Sequence, residues 1–596
     1  MAKSDARFEY KAGLSRTDHD LSQPFTFTSA SGMLLPIFYD YASPGDSYYM
    51  SHDMPLLRSA VLAAPAMVDV KVHFETFFVP MQMIYEPFEN SKFQLRNLRS
   101  SYYDMPSQRD NLLPLLPYSS VITESTLAAN INSWLHADCF RMADLLGLDP
   151  INFCYNGAYG FAPYAPNFFP WQLCAYQTIF QYYYRLDDKS QFVNEFCNLD
   201  KQYSNATISI ANTSLWMSFF EIHQRPWDFD YYTSMYRSPI VSDANMQGVL
   251  DSGVLTRIAN IYPSDPLTNS QVKRTFNGSA SQNSSLQFFS SAYTNNSSES
   301  LQVNTANIRQ LFANEKLSMI TGRTKKNYDS QVLAHYGVSV PHDVKHDITM
   351  IHHDEYDLKV MEVTSLASTS DAPLGELAGK SYATGNGKSF KFTAPCDGVI
   401  MTIFSIEPKR KYQVGFDRIN AIADVFDLPT PEFDRLGNVP MYRYEAGTKQ
   451  TSPQTLTNTD IIGWKERYYA FKRRQSRASY AFFADAAGVN NYAPYVLSSR
   501  PFASPVQVTI GGLTQSIYPV PASEDSYYIN RGAMDSLCVV DFVNGWLYDA
   551  DDPDKENWNV NPHLIYARDP FIVDSYIKCK KVSWMSKDGE PIYNMI

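Results

Sequence analysis

Residues 68–79, VDVKVHFETFFV, constrain the fold more than any other stretch of this chain. Val68, Val70, Val72, Phe74 and Thr76 fall on one face of an extended segment, and Asp69, Lys71, His73 and Glu75 on the other. This period of two, its β-branched and aromatic enrichment, and Pro80 as a stop predict a half-buried antiparallel strand. Such a strand needs partners on both edges and a cover on its apolar face. Similar strands are expected at residues 208–210 extending to 220, and at 398–406, 506–510, 536–542 and 576–584. The 35 prolines punctuate long connections between them. The expected class is all-β: two packed antiparallel sheets joined by long loops.

One helix interrupts this pattern. In NFFPWQLCAYQTIFQYYYR, residues 167–185, Pro170 suits a first helical turn, and Leu173, Tyr176, Ile179, Phe180 and Tyr183 recur at helical spacing. A surface that aromatic must be covered by other elements or other subunits. The whole chain shares the property: 41 Tyr and 36 Phe bring the aromatic share to 14%, against 19% charged residues. Tyr and Trp combine apolar area with a polar tip and favour interfaces, so an oligomer is expected.

At 596 residues the chain exceeds one ordinary core, which implies several domains or one domain with large insertions. Its net charge of −12 opposes wholesale wrapping of nucleic acid, so any contact with DNA must be local. The seven cysteines are widely spaced with no Cys-x-x-Cys pair and read as reduced, buried small hydrophobes. The N-terminal MAKSDARFEY has no apolar leader, and no run of eighteen uncharged apolar residues occurs. A cytosol-like compartment and no membrane insertion are expected. Residues 242–302, rich in Asn and Ser and nearly chargeless but carrying Phe288, Phe289 and Tyr293, read as a surface-exposed insertion loop.

Signatures of catalysis are missing: no Gly-x4-Gly-Lys-Ser loop, no Gly-x-Ser-x-Gly elbow and no His-Glu-x-x-His helix. No catalytic residue, cofactor or metal is assigned. Gly385-Asn386-Gly387-Lys388 reads as a hairpin turn. His342, His346, His352, His353, Asp354 and Glu355 resemble a metal cluster only at helical spacing, and the strand-like VKHDITMIHH favours a solvated or interfacial group instead. The densest basic run is Lys465, Arg467, Lys472, Arg473, Arg474 and Arg477, interleaved with Trp464, Tyr468, Tyr469 and Phe471. Cations hold phosphate and aromatics stack unpaired bases, so the run is a candidate DNA contact; packing against a neighbouring element or subunit is the competing reading. Lys409-Arg410-Lys411 and Lys578, Lys580 and Lys581 are weaker versions. An aromatic, Asn-rich β-protein would also suit a carbohydrate-active or carbohydrate-binding role, the alternative class.

Several blocks resemble, in order, the major capsid proteins of the Microviridae, small single-stranded DNA bacteriophages. The aromatic helix with its Asn, Pro and AYQ-x-I is one. RPWDFDYYTS at 225–234 is similar to a Trp-x-x-Asp-Tyr-Phe-Thr pattern, with Tyr232 in place of Phe. Residues 308–341 resemble an Arg-led helix, a Gly turn and a Phe-Gly-Val-x-x-Pro ending, with Tyr336 replacing Phe. FDLPTPEFDRLGNVP at 426–440 and IIGWKERYYAFKRR at 461–474 are similar to Pro-Glu-Phe-x-x-Leu-Gly and Phe-Gly-Tyr-x-Glu-Arg blocks, the second departing at Ile462 and Trp464. His19 to Ser22, Leu35-Pro36, Pro44-Gly45-Asp46 and Phe77 to Pro80 resemble gokushovirus-like members; Asp569-Pro570-Phe571 and the basic strand after it resemble the family's ending.

The resemblance implies one eight-stranded antiparallel viral jelly roll with large loop and helical insertions across residues 1–596. It implies self-assembly into an icosahedral shell of about sixty copies around circular single-stranded DNA, assembled in the host cytoplasm. It further implies a small basic DNA-binding protein, a vertex or pilot protein and a host receptor as partners.

Overall fold

The computed structural model describes chiefly residues 16–59, 67–85, 141–148, 168–186, 219–236, 328–337, 346–364, 377–413, 415–422, 425–434, 437–446, 461–479 and 569–585, with a few shorter stretches. Ten strands form one continuous, curled antiparallel sheet: β1 (Thr17–Asp20), β2 (Gln23–Ser29), β3 (Leu35–Ala42), β4 (Ser47–Ser59), β5 (Val70–Pro80), β6 (Thr349–Thr364), β7 (Leu377–Gly385), β8 (Phe390–Thr393), β9 (Gly398–Pro408) and β14 (Phe571–Ser583). Four short strands numbered between them belong to an insertion described below.

The path runs β1-β14-β4-β7-β6-β5-β9-β3, with β2 also on β14 and β8 also on β4. β1 and β2 lie end to end along β14, and β7 and β8 end to end along β4, so each pair is one interrupted strand. Eight strands then remain. Numbered along the chain, they pair as 1-8-3-6 and 5-4-7-2, the doubled Greek key of a jelly roll. The two halves join at β6, whose first part pairs with β5 as far as Leu358 and whose second part pairs with β7 from Lys359 onward. The expected all-β, eight-stranded jelly roll is therefore the observed one.

The core lies between the halves. Phe404 of β9 meets Phe27 and Phe74 edge-on, with ring centroids 4.9 and 5.2 Å away, an arrangement that favours aromatic quadrupoles over face-to-face stacking. Tyr48, Phe78, Val72, Ile406, Val573 and Ile577 are buried with them.

The structure departs from the sequence expectations at three places. β5 is buried on both faces, not one: His73, Glu75, Phe77 and Val79 are as enclosed as Val72 and Phe74. The cover is α2 (Trp171–Ile179), which follows α1 (Met81–Ile84) in the long connection between β5 and β6. α2 runs into a π-helical turn, Phe180–Tyr184, in which the Arg185 amide donates to the Phe180 carbonyl. The extra residue per turn rotates the helix end, so Tyr184 is buried and Tyr183, expected inside, is 39% exposed. Gly385 to Lys388 is likewise no hairpin. It carries the chain from β7 into β8 along the same edge of β4, where the Gly387 amide donates to Asp53 Oδ1 at 3.1 Å. A side chain on Gly387 would collide with the backbone of His52, so the close approach requires glycine there.

The remaining expectations divide. Strands at 398–406, 506–510 and 576–583 are present. The expected strand near 208–220 ends in a helical bend at Phe219 and Phe220, its earlier part lying outside the described residues, as does 536–542. Cys174 and Cys579 are buried and Cys396 is partly so, none of the three in a disulfide; the other four are outside the described residues. The segment 242–302 is also outside them, save for a two-residue pairing of Tyr262–Pro263 with Leu286–Gln287.

Candidate nucleic-acid interface

The basic run belongs to a second, smaller core built on the connection between β9 and β14. Here β11 (Asn438–Tyr442) and β12 (Ile461–Glu466) pair antiparallel, and β10 (Lys411–Gln413) pairs in parallel with β13 (Arg477–Ala478). Two helices precede or lie within this region, α3 (Tyr328–Tyr336) and α4 (Tyr469–Lys472). Half of the residues of this core are tyrosine: Tyr231, Tyr232, Tyr412 and Tyr469, with Met235, Met441, Ala446 and Ala470. Residues 231–235 come from the first long connection, so the two insertions share one interior. Backbone bonds between Tyr236 and Trp464, 2.8 Å in each direction, stitch them together.

Buried phenols need acceptors, and Glu445 supplies them. Its side chain accepts from Tyr469 Oη and from the Tyr442 amide at 3.1 Å, and its carbonyl accepts from Tyr232 Oη at 3.0 Å. Burial pushes the Glu445 carboxyl above its ordinary range. Asp230 does the same on the other side, accepting from Tyr412 Oη and, at 2.8 Å, from the amides of Tyr232 and Thr233.

Lys465 does not reach the surface. It is fully buried, its Nζ donates to Ser234 Oγ at 3.0 Å, and it stands 4.7 Å from the Tyr231 ring centre and 5.5 Å from that of Tyr469. Burial lowers its ammonium to about 8. The reason is strand alternation: in β12, Gly463 and Lys465 face inward, and Gly463 leaves space that Met235 fills. Lys465 is therefore a packing residue of the folded subunit, and its assignment to a DNA contact is withdrawn.

The rest of the run leaves the interior. Tyr468 adopts a left-handed backbone, φ 63°, which turns the chain out of β12 into α4. Arg467 lies over the Tyr468 ring at 5.2 Å, and Lys472 pairs with Asp434 while donating to the Arg467 carbonyl at 2.9 Å. Arg473 reaches Glu466 at 3.5 Å and Ser234 at 3.2 Å, with half of its side chain exposed. Arg474 and Arg477 are exposed, as is Phe471 at the end of α4. The weaker clusters are committed elsewhere: Arg410 stacks 3.4 Å from Trp227, Lys578 pairs with Asp53, Lys580 with Asp18, and buried Lys581 with Asp40 and Asp46.

A jelly roll carrying long insertions fits a shell protein in architecture. No helix among the described residues is long and apolar enough to cross a membrane. The family model described as capsid protein (F protein) matches residues 9–109 and 165–503. The chain belongs to this capsid protein family. It is a major capsid structural protein of the Microviridae kind and a component of the virion. No individual curated protein matches it. The match takes in β1 to β9, the aromatic helix, the tyrosine core and the whole basic run; β14, which closes the first half of the sheet, lies beyond it. The carbohydrate alternative finds no support in a capsid family.

The sequence did not single out a second polar constellation. Arg225, from the RPWDFDYYTS block, enters the buried face of β5 and donates from Nη1 to Glu75 Oε2 at 2.8 Å and to Ser405 Oγ at 3.0 Å; its Nε stands 3.4 Å from Glu407. Tyr184 Oη donates to Glu75 as well. Burial alone would raise the Glu75 carboxyl, but Arg225, Tyr184 and His73 more than offset it and hold it below its usual range. The signal was present as charge at alternate positions of a strand, which reads as a solvated face until a covering helix is known.

Proposed function

We propose that the chain assembles into an icosahedral shell of about sixty copies around circular single-stranded DNA, with Arg467, Lys472, Arg473, Arg474 and Arg477 contributing an inner-surface contact to the genome. Its work is association, not catalysis. The observation that carries the DNA reading is the exposed, extended arginine run after α4, which follows the exposed Phe471 in sequence, on a subunit of net charge −12. An acidic protein holds DNA only where cations are concentrated, and it gains from a small basic DNA-binding protein in the same particle. A vertex or pilot protein and a host receptor complete the partners, with residues 242–302 as an outward, host-contacting loop. Assembly takes place in the host cytoplasm.

The test compares particles of the parent chain with Arg474→Gln/Arg477→Gln particles. Shell yield is expected to be unchanged, less DNA to be retained, and the log–log salt slope of DNA release to fall by about 0.7 per lost single-strand phosphate contact. Equal loss of shells and genome assigns the row to subunit packing and overturns the DNA reading.

A further inference from the structure

We propose that His73, Glu75 and His353 form a binding site for one borderline divalent transition-metal ion of the zinc type, set where the first insertion docks on the jelly roll. The site follows from strand register. Glu75 of β5 sits directly opposite His353 of β6, and His73 lies two residues along β5 on the same face. One ligand atom from each of the three lies within 4.8 Å of the other two. His73 Nδ1 and His353 Nε2 are 2.9 Å apart with rings stacked 5.2 Å centre to centre, and His353 Nε2 is 3.9 Å from Glu75 Oε1.

The second shell fits as well. His73 Nε2 lies 3.0 Å from Glu407 Oε2. An ionised carboxylate only accepts, so the proton of a neutral His73 sits on Nε2 and the lone pair of Nδ1 faces the other two ligands. That carboxylate–histidine pairing orients a metal-binding imidazole. Zinc ligands at about 2.0–2.1 Å in a tetrahedron stand about 3.3 Å apart, a separation that falls between the 2.9 Å of the His73–His353 pair and the 3.9 Å of the His353–Glu75 pair. Arg225 holds Glu75 through both oxygens, more closely through Oε2 at 2.8 Å than through Oε1 at 3.3 Å, and it is the second lone pair of Oε1 that is offered to the ion. His353 is about a third exposed at 32%, providing an entry path and room for a fourth, water ligand. Two imidazoles among three ligands favour zinc-type ions over calcium or magnesium.

The test titrates the purified full-length chain with Co2+ and with Zn2+. One ion per subunit is expected, with the visible bands of four-coordinate Co2+ and displacement by Zn2+. His353→Ala, at a partly exposed position, should weaken binding at least a hundredfold, whereas His346→Ala, on the exposed stretch before β6, should not. His353→Cys, which keeps a zinc ligand and so separates lost coordination from loosened packing, is expected to restore Zn2+ binding. Absence of stoichiometric binding, or equal affinity in His353→Ala and the parent, overturns the site; so does loss of binding in His346→Ala alone.

Discussion

Arg225 grips Glu75 with both terminal nitrogens, Nη1 to Oε2 at 2.8 Å and Nη2 to Oε1 at 3.3 Å, and in doing so fastens an insertion to the barrel wall. The backbone of the same residue reinforces the joint: its amide donates to the Gly32 carbonyl at 2.7 Å and its carbonyl accepts from the Ile529 amide at 2.8 Å. Three distant parts of the chain therefore meet at one residue, and the only guanidinium reaching this pocket among the described residues neutralises two buried carboxylates.

Removing that guanidinium strands Glu75 and Glu407 as uncompensated charges. Arg225→Met is expected to destabilise the subunit by about 3–5 kcal/mol, the usual cost of breaking a buried ion pair from one side. Glu75→Gln in the same background should recover part of the loss. Urea unfolding of the purified variants measures both effects, and a single-variant change within about 0.5 kcal/mol contradicts the role given to Arg225.

Stability should decline on acidification in two stages. Burial lowers the His52 and His353 imidazoles, so the unfolded chain takes up their protons first; their contribution is complete above the ordinary histidine value of 6.5 and is lost as pH falls below it. Glu75, Glu407 and Asp354 are also held below their usual values, so their contribution is present above about 4.5 and is lost further down. Asp228 and Glu445, raised by burial, act with the opposite sign and soften the second stage. Thermal melts from pH 7.5 to 4 should show a loss beginning near 6.5, and His52→Phe should diminish the first stage. A melting temperature flat to pH 5 would falsify the histidine part.

Alternation made some jelly-roll strands legible, because a half-buried strand writes its register in period two, and the C-terminal strand falls where that rule places it; Gly398 to Ile406 is a strand too, but one buried at every position, without that alternation. The same rule misread His73 and Glu75. A polar face buried under a helix and an arginine from another segment looks, in one strand, identical to a face in water. Lys465 failed for the matching reason: in a run of mixed cations and aromatics, the strand phase decides which side is inside, and that phase is set by Met235 and Tyr231 of the other insertion. Tyr183 and Tyr184 exchanged places through a π turn, a one-residue slip that helical spacing does not announce.

Gly387→Ala should be among the most damaging single-atom-group additions in the barrel. Its Cβ would approach the His52 amide nitrogen to 2.7 Å and the His52 carbonyl oxygen more closely still, and a backbone inside β4 cannot step aside as a side-chain tip can. A loss of about 1–3 kcal/mol is expected, the range for overpacking, together with partial insolubility. Gly437→Ala, which meets no atom within 4 Å but has φ +91°, separates conformational strain from collision. Circular dichroism melts of the two variants should rank Gly387→Ala as the less stable; the reverse order assigns the cost to backbone conformation.

Lys465 and Arg474 lie nine positions apart in one basic run and should nevertheless behave as members of different systems. Lys465 carries its charge in a tyrosine-lined interior, where burial has brought the ammonium down to about 8. A base lowered in the fold leaves the unfolded chain holding more protons between that value and the ordinary 10.5, so this group adds stability as pH rises from 8 toward 9.5, before the tyrosines begin to ionise in the unfolded chain. At one pKa unit per 1.36 kcal/mol the full effect is at most about 3 kcal/mol. Lys465→Met, which fills similar space without a charge, should abolish that alkaline gain in urea-unfolding series while leaving the salt dependence of DNA release from particles unchanged. Arg474→Gln should do the converse, changing the salt slope and not the alkaline stability. If both variants shift both readouts together, the run acts as one electrostatic unit, and the division between a packing lysine and a DNA-facing arginine row is wrong.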